Sequence, residues 1–117
     1  MPRGNVRTLD TGAVYEATAK GLCNFGEVFT TDGRIEALNL TVLKDDKNFF
    51  PNYNVAPVLQ TSVLKKYPQL KKVFAKITPL ITDDVMRGLN AKVDVDGQQP
   101  GDVALDWMVR KGLVNRG

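Results

Sequence analysis

Leu22-Cys23-Asn24-Phe25-Gly26-Glu27-Val28-Phe29, followed at once by Thr30-Thr31-Asp32-Gly33 and Arg34-Ile35-Glu36-Ala37-Leu38, is the stretch on which the fold reading turns. Its first eight residues are apolar enough for a buried strand, although Gly26 weakens it by offering no side chain to pack. The next four are turn residues. Arg34 to Leu38 then reads as one helical turn. Upstream, Asn5 to Leu9 reads as a short strand. Asp10-Thr11-Gly12 supplies a turn and a helix N-cap, because a short side-chain oxygen can satisfy free amide groups. Ala13 to Lys20 is an alanine-rich helix stopped by Gly21. Strand, helix, strand and turn in that order make an α/β pattern.

The pattern continues downstream. Leu40, Val42 and Leu43 form a β-rich stretch, and Lys44 to Asn48 is polar. Phe49-Phe50-Pro51-Asn52-Tyr53-Asn54 is an aromatic loop. Val55 to Gln60 reads as a strand that Pro57 assigns to an edge or an interruption. The last half is helical. Thr61 or Ser62 caps a short helix, and Pro68 suits the first turn of the next, where its missing N–H costs little. Leu70, Val73, Phe74 and Ile77 then share one helix face. Thr82 caps a helix with Val85, Met86 and Leu89 on its inner side. Val93 to Asp96 reads as extended. Pro100 opens a final helix carrying Val103, Ala104, Trp107 and Met108, and Gly112 closes it.

Composition bounds the function. The 117 residues are enough for one domain or a piece of a larger one, and 43% hydrophobic with 25% charged residues is ordinary for a globular chain. The longest apolar run is the five residues from Val55 to Leu59, whereas a membrane span needs about 20. A net charge of +3 is too small to argue for nucleic acid. Histidine is absent and Ser62 is the only serine, which excludes Ser–His–Asp and Cys–His catalysis and histidine-based metal sites. Cys23, the single cysteine, forms no internal disulfide. No apolar stretch of a signal peptide follows Met1-Pro2-Arg3-Gly4, so any export signal is expected on chain outside this sequence.

The aromatic loop is the most unusual feature. Phe49, Phe50 and Tyr53 fall within five residues, and clustered rings on a loop bind something or fold inward to complete the core. Phe29 stands at a strand end, where ligands of α/β sheets tend to sit. Two rings converging on one point suit a quaternary ammonium, which donates no hydrogen bond and is held by ion-pair and cation–π attraction. Other clusters read as structure. Asp32-Gly33 is a turn, Asp45-Asp46 a solvated loop, and Lys65, Lys66, Lys71 and Lys72 a solvated helix face. Asp94-Val95-Asp96-Gly97 lacks the glycine and acidic positions of a calcium loop.

Several phrases, read in order, resemble one family. They are Phe29-Thr30-Thr31-Asp32-Gly33-Arg34-Ile35, the run from Leu43 to Asn54 with its Phe49-Phe50-Pro51-Asn52-Tyr53 core, Val55-Ala56-Pro57-Val58, Leu64-Lys65-Lys66-Tyr67-Pro68, the run from Leu89 to Gly97, and Lys111-Gly112-Leu113. Together they resemble the carboxy-terminal part of the substrate-binding proteins of osmoprotectant ABC importers, which take up glycine betaine, carnitine, choline and related compounds. The resemblance implies an α/β chain that is the carboxy-terminal portion of a two-lobed, type II periplasmic-binding-protein fold, with ligand held between lobes that close on it. Residues 1–41 would end lobe two and include the hinge crossing, and residues 42–117 would complete lobe one.

The same resemblance implies a function without catalysis or cofactor. The ligand is expected to be a quaternary ammonium solute in an aromatic cage. Phe29 and Tyr53 carry over as its rings and Thr31 as a polar contact. Many relatives have tyrosine at the first ring position, so Phe29 keeps the ring face and loses the hydroxyl. The implied partners are an ABC permease and either the front part of the same receptor or a swapped dimer mate. The implied location is extracytoplasmic, in the periplasm or on the outer face of the cell membrane. The rival readings are a small enzyme or a basic nucleic-acid-binding module. The first lacks a positioned acid–base pair and the second lacks a strong charge excess.

Overall fold

The computed structural model describes residues 3–51 and 55–116. Six α-helices carry the architecture among them: α1 (Thr11–Ala19), α2 (Arg34–Ala37), α3 (Thr61–Lys66), α4 (Leu70–Ile77), α5 (Asp83–Asp94) and α6 (Pro100–Arg110), with short 3-10 turns at Arg3–Asn5 and Thr78–Leu80. The core is small. Tyr15 of α1, Ile35 of α2, and Val103 and Trp107 of α6 are buried, and α5 packs on α2 on one side and on α6 on the other.

The local chemistry explains the helix ends. Thr82 Oγ1 accepts the Val85 amide at 3.3 Å, as expected of an N-cap, and Asp83 and Asp84 place negative charge at the positive end of α5. Pro100 occupies the first turn of α6. Gly21 and Gly112 follow α1 and α6 with φ of +71° and +67°, a conformation that glycine adopts without strain. Two details differ from expectation. Gln60, not Thr61 or Ser62, stands at the N-cap of α3, without a side-chain cap bond. Pro68 sits in the turn before α4, which begins two residues later at Leu70.

The larger correction concerns strands. No strand is found among the described residues, so the α/β expectation is not met within them, and they form a helical fragment with long irregular stretches. Of the expected strands, Asn5 lies in the first 3-10 turn, and Val6 to Leu9, Leu22 to Phe29, Leu40 to Leu43 and Val55 to Gln60 run without a ladder partner. The physical reason is that β structure is a property of pairs: apolar, β-branched residues favour a strand, but the ladder hydrogen bonds need a neighbour. Val93 to Asp96 fails differently. Val93 and Asp94 form the last turn of α5, and Val95 and Asp96 both donate their amides back to the Ala91 carbonyl. The alternating Val–Asp pattern imitates a strand, but local hydrogen bonds to the preceding turn capture it.

Without ladders the chain stays open. Its Cα radius of gyration is 18.1 Å, against about 13 Å for a compact chain of this length. Its accessible surface is 9760 Å², against roughly 6300 Å² for a compact monomer of this mass. Leu22, Phe25, Val55 and Val58 are among the apolar side chains left in water. The stripe Leu70, Phe74 and Ile77 on α4 is only half-buried, and Val73 is exposed.

Candidate functional site

The turn from Phe29 to Arg34 is the best-fastened irregular segment. Gly33 is buried against α5 so closely that a Cβ there would stand 2.5 Å from both the backbone N and the Cα of Ala91. Only glycine permits this approach. Three side chains of α5 grip the turn. Asn90 Nδ2 donates to the Thr31 carbonyl and Arg87 Nε to the Thr30 carbonyl, each at 2.8 Å, while Asp83 Oδ2 accepts the Thr30 hydroxyl at 2.8 Å. These contacts bridge residues more than fifty positions apart in sequence.

The other side of the turn is held by α1. Tyr15 is fully buried, and its Oη accepts the Phe29 amide at 3.1 Å. Arg34 lies over the Tyr15 ring, 4.5 Å from its centroid, and forks onto Asp32 with Nε–Oδ1 at 2.9 Å and Nη2–Oδ2 at 2.6 Å. The Arg34 amide also donates to Asp32 Oδ1 at 2.9 Å. This pairing holds the Asp32 carboxyl below the usual carboxylate range, with the Arg34 guanidinium as the main cause. Burial pushes the Tyr15 hydroxyl above the ordinary phenol value, and the facing Asp32 carboxylate adds to the rise. At neutral pH the trio is therefore phenol, carboxylate and guanidinium.

Phe29, held by its backbone, is 59% exposed as a residue. Thr31 is half-buried and lines a groove of about 350 Å³ with Val55, Pro79, Ile81, Asp83 and Met86. The walls are about equally apolar and polar, with one carboxylate and threonine side chains. Phe29 does not line that groove. Tyr53, the other expected ring, lies outside the described residues, as do Asn52 and Asn54. Val55, two residues beyond Tyr53 in sequence, is part of the groove. The preceding half of the aromatic loop is ordered by Asp45, whose Oδ2 accepts the Phe50 amide at 2.8 Å. Backbone N–H groups of Phe49, Phe50 and Lys47 hold the Asp45 carboxyl below its ordinary range. Phe49 and Phe50 meet edge to face at 5.0 Å, both exposed.

Sequence reasoning missed most of the fastening. Asp45 reads as solvated, yet it is the hydrogen-bond anchor of its loop. Tyr15 is packed in the core, and its hydroxyl reaches the backbone of a candidate ligand residue. Arg34 two positions after Asp32 is a signal that was available, since that spacing across a turn allows a fork. Asn90 and Arg87 gave none, because their partners are distant in sequence.

Residues 1–110 match the family model described as the substrate binding domain of ABC-type glycine betaine transport systems. The chain belongs to that family. Among its relatives are the glycine-betaine-binding protein of Pseudomonas aeruginosa, 40% identical over 115 residues, and the carnitine transport binding protein OpuCC of Listeria monocytogenes, 34% identical over 100. The ergothioneine transport permease/ergothioneine binding protein EgtU of Helicobacter pylori is 39% identical over 109 residues. These alignments cover 98%, 86% and 93% of this chain but only 37%, 32% and 20% of those proteins. A crystal structure described as a glycine betaine/carnitine/choline ABC transporter superposes with a TM-score of 0.87 at 35% identity, covering 97% of this chain and 42% of that one. Apo YehZ from Escherichia coli gives 0.76 at 30%, covering 93% and 40%. The structural neighbours are thus substrate-binding proteins of the periplasmic-binding-protein type, and the chain corresponds to well under half of each. The relatives are named for binding and transport, not for catalysis.

Proposed function

We propose that this chain is the carboxy-terminal portion of a receptor that delivers a quaternary ammonium solute, such as glycine betaine, carnitine or choline, to an ABC permease outside the cytoplasm. The observation that carries the reading is the family match running from residue 1 to residue 110. The exposed ring of Phe29, close in sequence to groove-lining Thr31, supports a place for the ligand beside the clamped turn. In this reading Phe29 and Tyr53 supply ring faces and Thr31 a polar contact. Residues 1–41 end one lobe and cross the hinge, and residues 42–117 complete the other. The front part of the same receptor covers the open apolar surface and supplies the missing strand partners; exchange between two copies is the alternative source. No helix among the described residues is long and apolar enough to cross a membrane.

A trimethylammonium cation over a ring gains about 0.5–2 kcal/mol, or roughly two- to thirtyfold in affinity. Calorimetry on the complete receptor should therefore show choline bound more tightly than 3,3-dimethylbutanol, its uncharged carbon isostere. Tyr53→Ala should reduce that preference without unfolding the protein. Equal affinity for the two ligands would defeat the aromatic cage. Titration of the isolated chain tests its incompleteness: tight binding by a monomer would contradict the need for the front part.

A further inference from the structure

We infer that Tyr15, Asp32 and Arg34 are positioning residues that aim the Phe29 ring, a role that rests on the ligand reading of Phe29 given above. The geometry around that residue is unusual. Its amide N–H donates to Tyr15 Oη at 3.1 Å, and its carbonyl accepts the Asp32 amide at 3.1 Å. Both peptide planes next to Phe29 are therefore fixed, while the residue remains 59% exposed. Water does not need an exposed apolar ring carried on a fastened backbone. A ligand that must meet a ring face does, because cation–π attraction depends on the cation standing over the face.

The three positioning side chains depend on one another. Tyr15 can accept the Phe29 amide only while its ring is buried and its hydroxyl oriented. Arg34 covers the ring at 4.5 Å and is itself held there by its fork onto Asp32. Asp32 in turn is locked by the Arg34 fork and by the Arg34 amide. Arg34 already spends its charge on Asp32 and Tyr15, so it serves this network and not a ligand carboxylate. The Cα–Cβ direction from which the Phe29 ring projects is thus set by a closed network of three side chains.

The test uses the complete receptor and the ratio of choline to 3,3-dimethylbutanol affinity, measured by calorimetry. Tyr15→Phe keeps the ring beneath Arg34 and removes only the hydroxyl. Loss of one such hydrogen bond should lower the ratio about two- to tenfold. Asp32→Asn, which weakens the fork with little change of size, should lower it in the same direction and serves if the first variant folds poorly. In a Phe29→Leu background neither substitution should change the ratio further, since the ring they aim is gone. A purely structural role would weaken both ligands equally and leave the ratio unchanged, which would overturn the inference. If Phe29→Leu alone leaves the ratio at the parent value, the ligand reading of Phe29 itself fails, and the aiming role falls with it.

Discussion

Gly33→Ala is the substitution whose consequence is worked most directly from the structure. The added methyl would stand 2.5 Å from Ala91 N and Cα and 2.9 Å from the Asn90 carbonyl carbon. Ordinary contact is about 3.5–4 Å, so the turn and α5 must separate by about 1 Å. All three atoms are backbone, so no side chain can swing aside. Overpacking of this kind costs about 1–3 kcal/mol. The same separation stretches the Asn90–Thr31 and Arg87–Thr30 hydrogen bonds, each 2.8 Å long and worth about 0.5–1.5 kcal/mol. A total of about 2–4 kcal/mol is expected, since a partial shift weakens the bonds without losing both. The comparison is Gly88→Ala in the interior of α5, where a Cβ meets nothing within 4 Å. Alanine there should stabilise by about 0.5–1 kcal/mol through helix propensity. Urea unfolding of the complete receptor measures both. Opposite signs are required. A Gly33→Ala protein as stable as its parent would show that α5 and the turn do not approach as closely as described.

Two further outcomes follow from the ionised groups. Because the folded Asp32 carboxyl has a lower pKa than the unfolded one, its stabilising contribution is complete above the ordinary Asp value of about 3.9 and is lost as the pH falls through that value towards the folded one. Asp32→Asn should cost about 1–2 kcal/mol at neutral pH, discounted because Arg34 is 40% exposed. The stability gap between parent and variant, measured by melting at a series of pH values, should narrow below that range; a gap that stays constant into acid would remove the carboxylate as its cause. Asp45→Ala releases the Phe50 amide and should leave global stability nearly unchanged while speeding chymotrypsin cleavage after Phe49 several-fold. Unchanged cleavage would mean that Asp45 does not order the loop.

Local chemistry made the helices legible in the sequence. Thr82, Pro100, Gly21 and Gly112 mark ends that the structure keeps, because caps and terminators act within one turn. The strands were not legible in the same sense. The residues of Leu22 to Phe29 favour a strand, but the ladder requires a second segment, and none of the described residues supplies one. Family membership was legible in the ordered phrases from Phe29 to Leu113, and the match over residues 1–110 agrees with it. At the site, Asp32-Gly33 reads as a turn, and it is one. What the sequence conceals is that the glycine faces Ala91 and that the aspartate pairs with Arg34 beneath a tyrosine from another helix. Those facts depend on distances between residues 15, 32 and 91, which only the folded chain sets.

The links around the Phe29–Arg34 turn form a load path in series. A twist applied at α1 passes through Tyr15 to the turn, then through the Thr30 and Thr31 carbonyls to α5, and by packing to α6. The compliance of a series is ruled by its softest member. Here that is the α1 joint, held by the Tyr15–Phe29 bond and the Arg34 stack, whereas at α5 the Arg87, Asn90 and Asp83 bonds act in parallel beside the Gly33–Ala91 packing. Loosening Arg87 alone therefore leaves the turn seated on α5, whereas loss of the Tyr15 hydroxyl weakens its tie to α1.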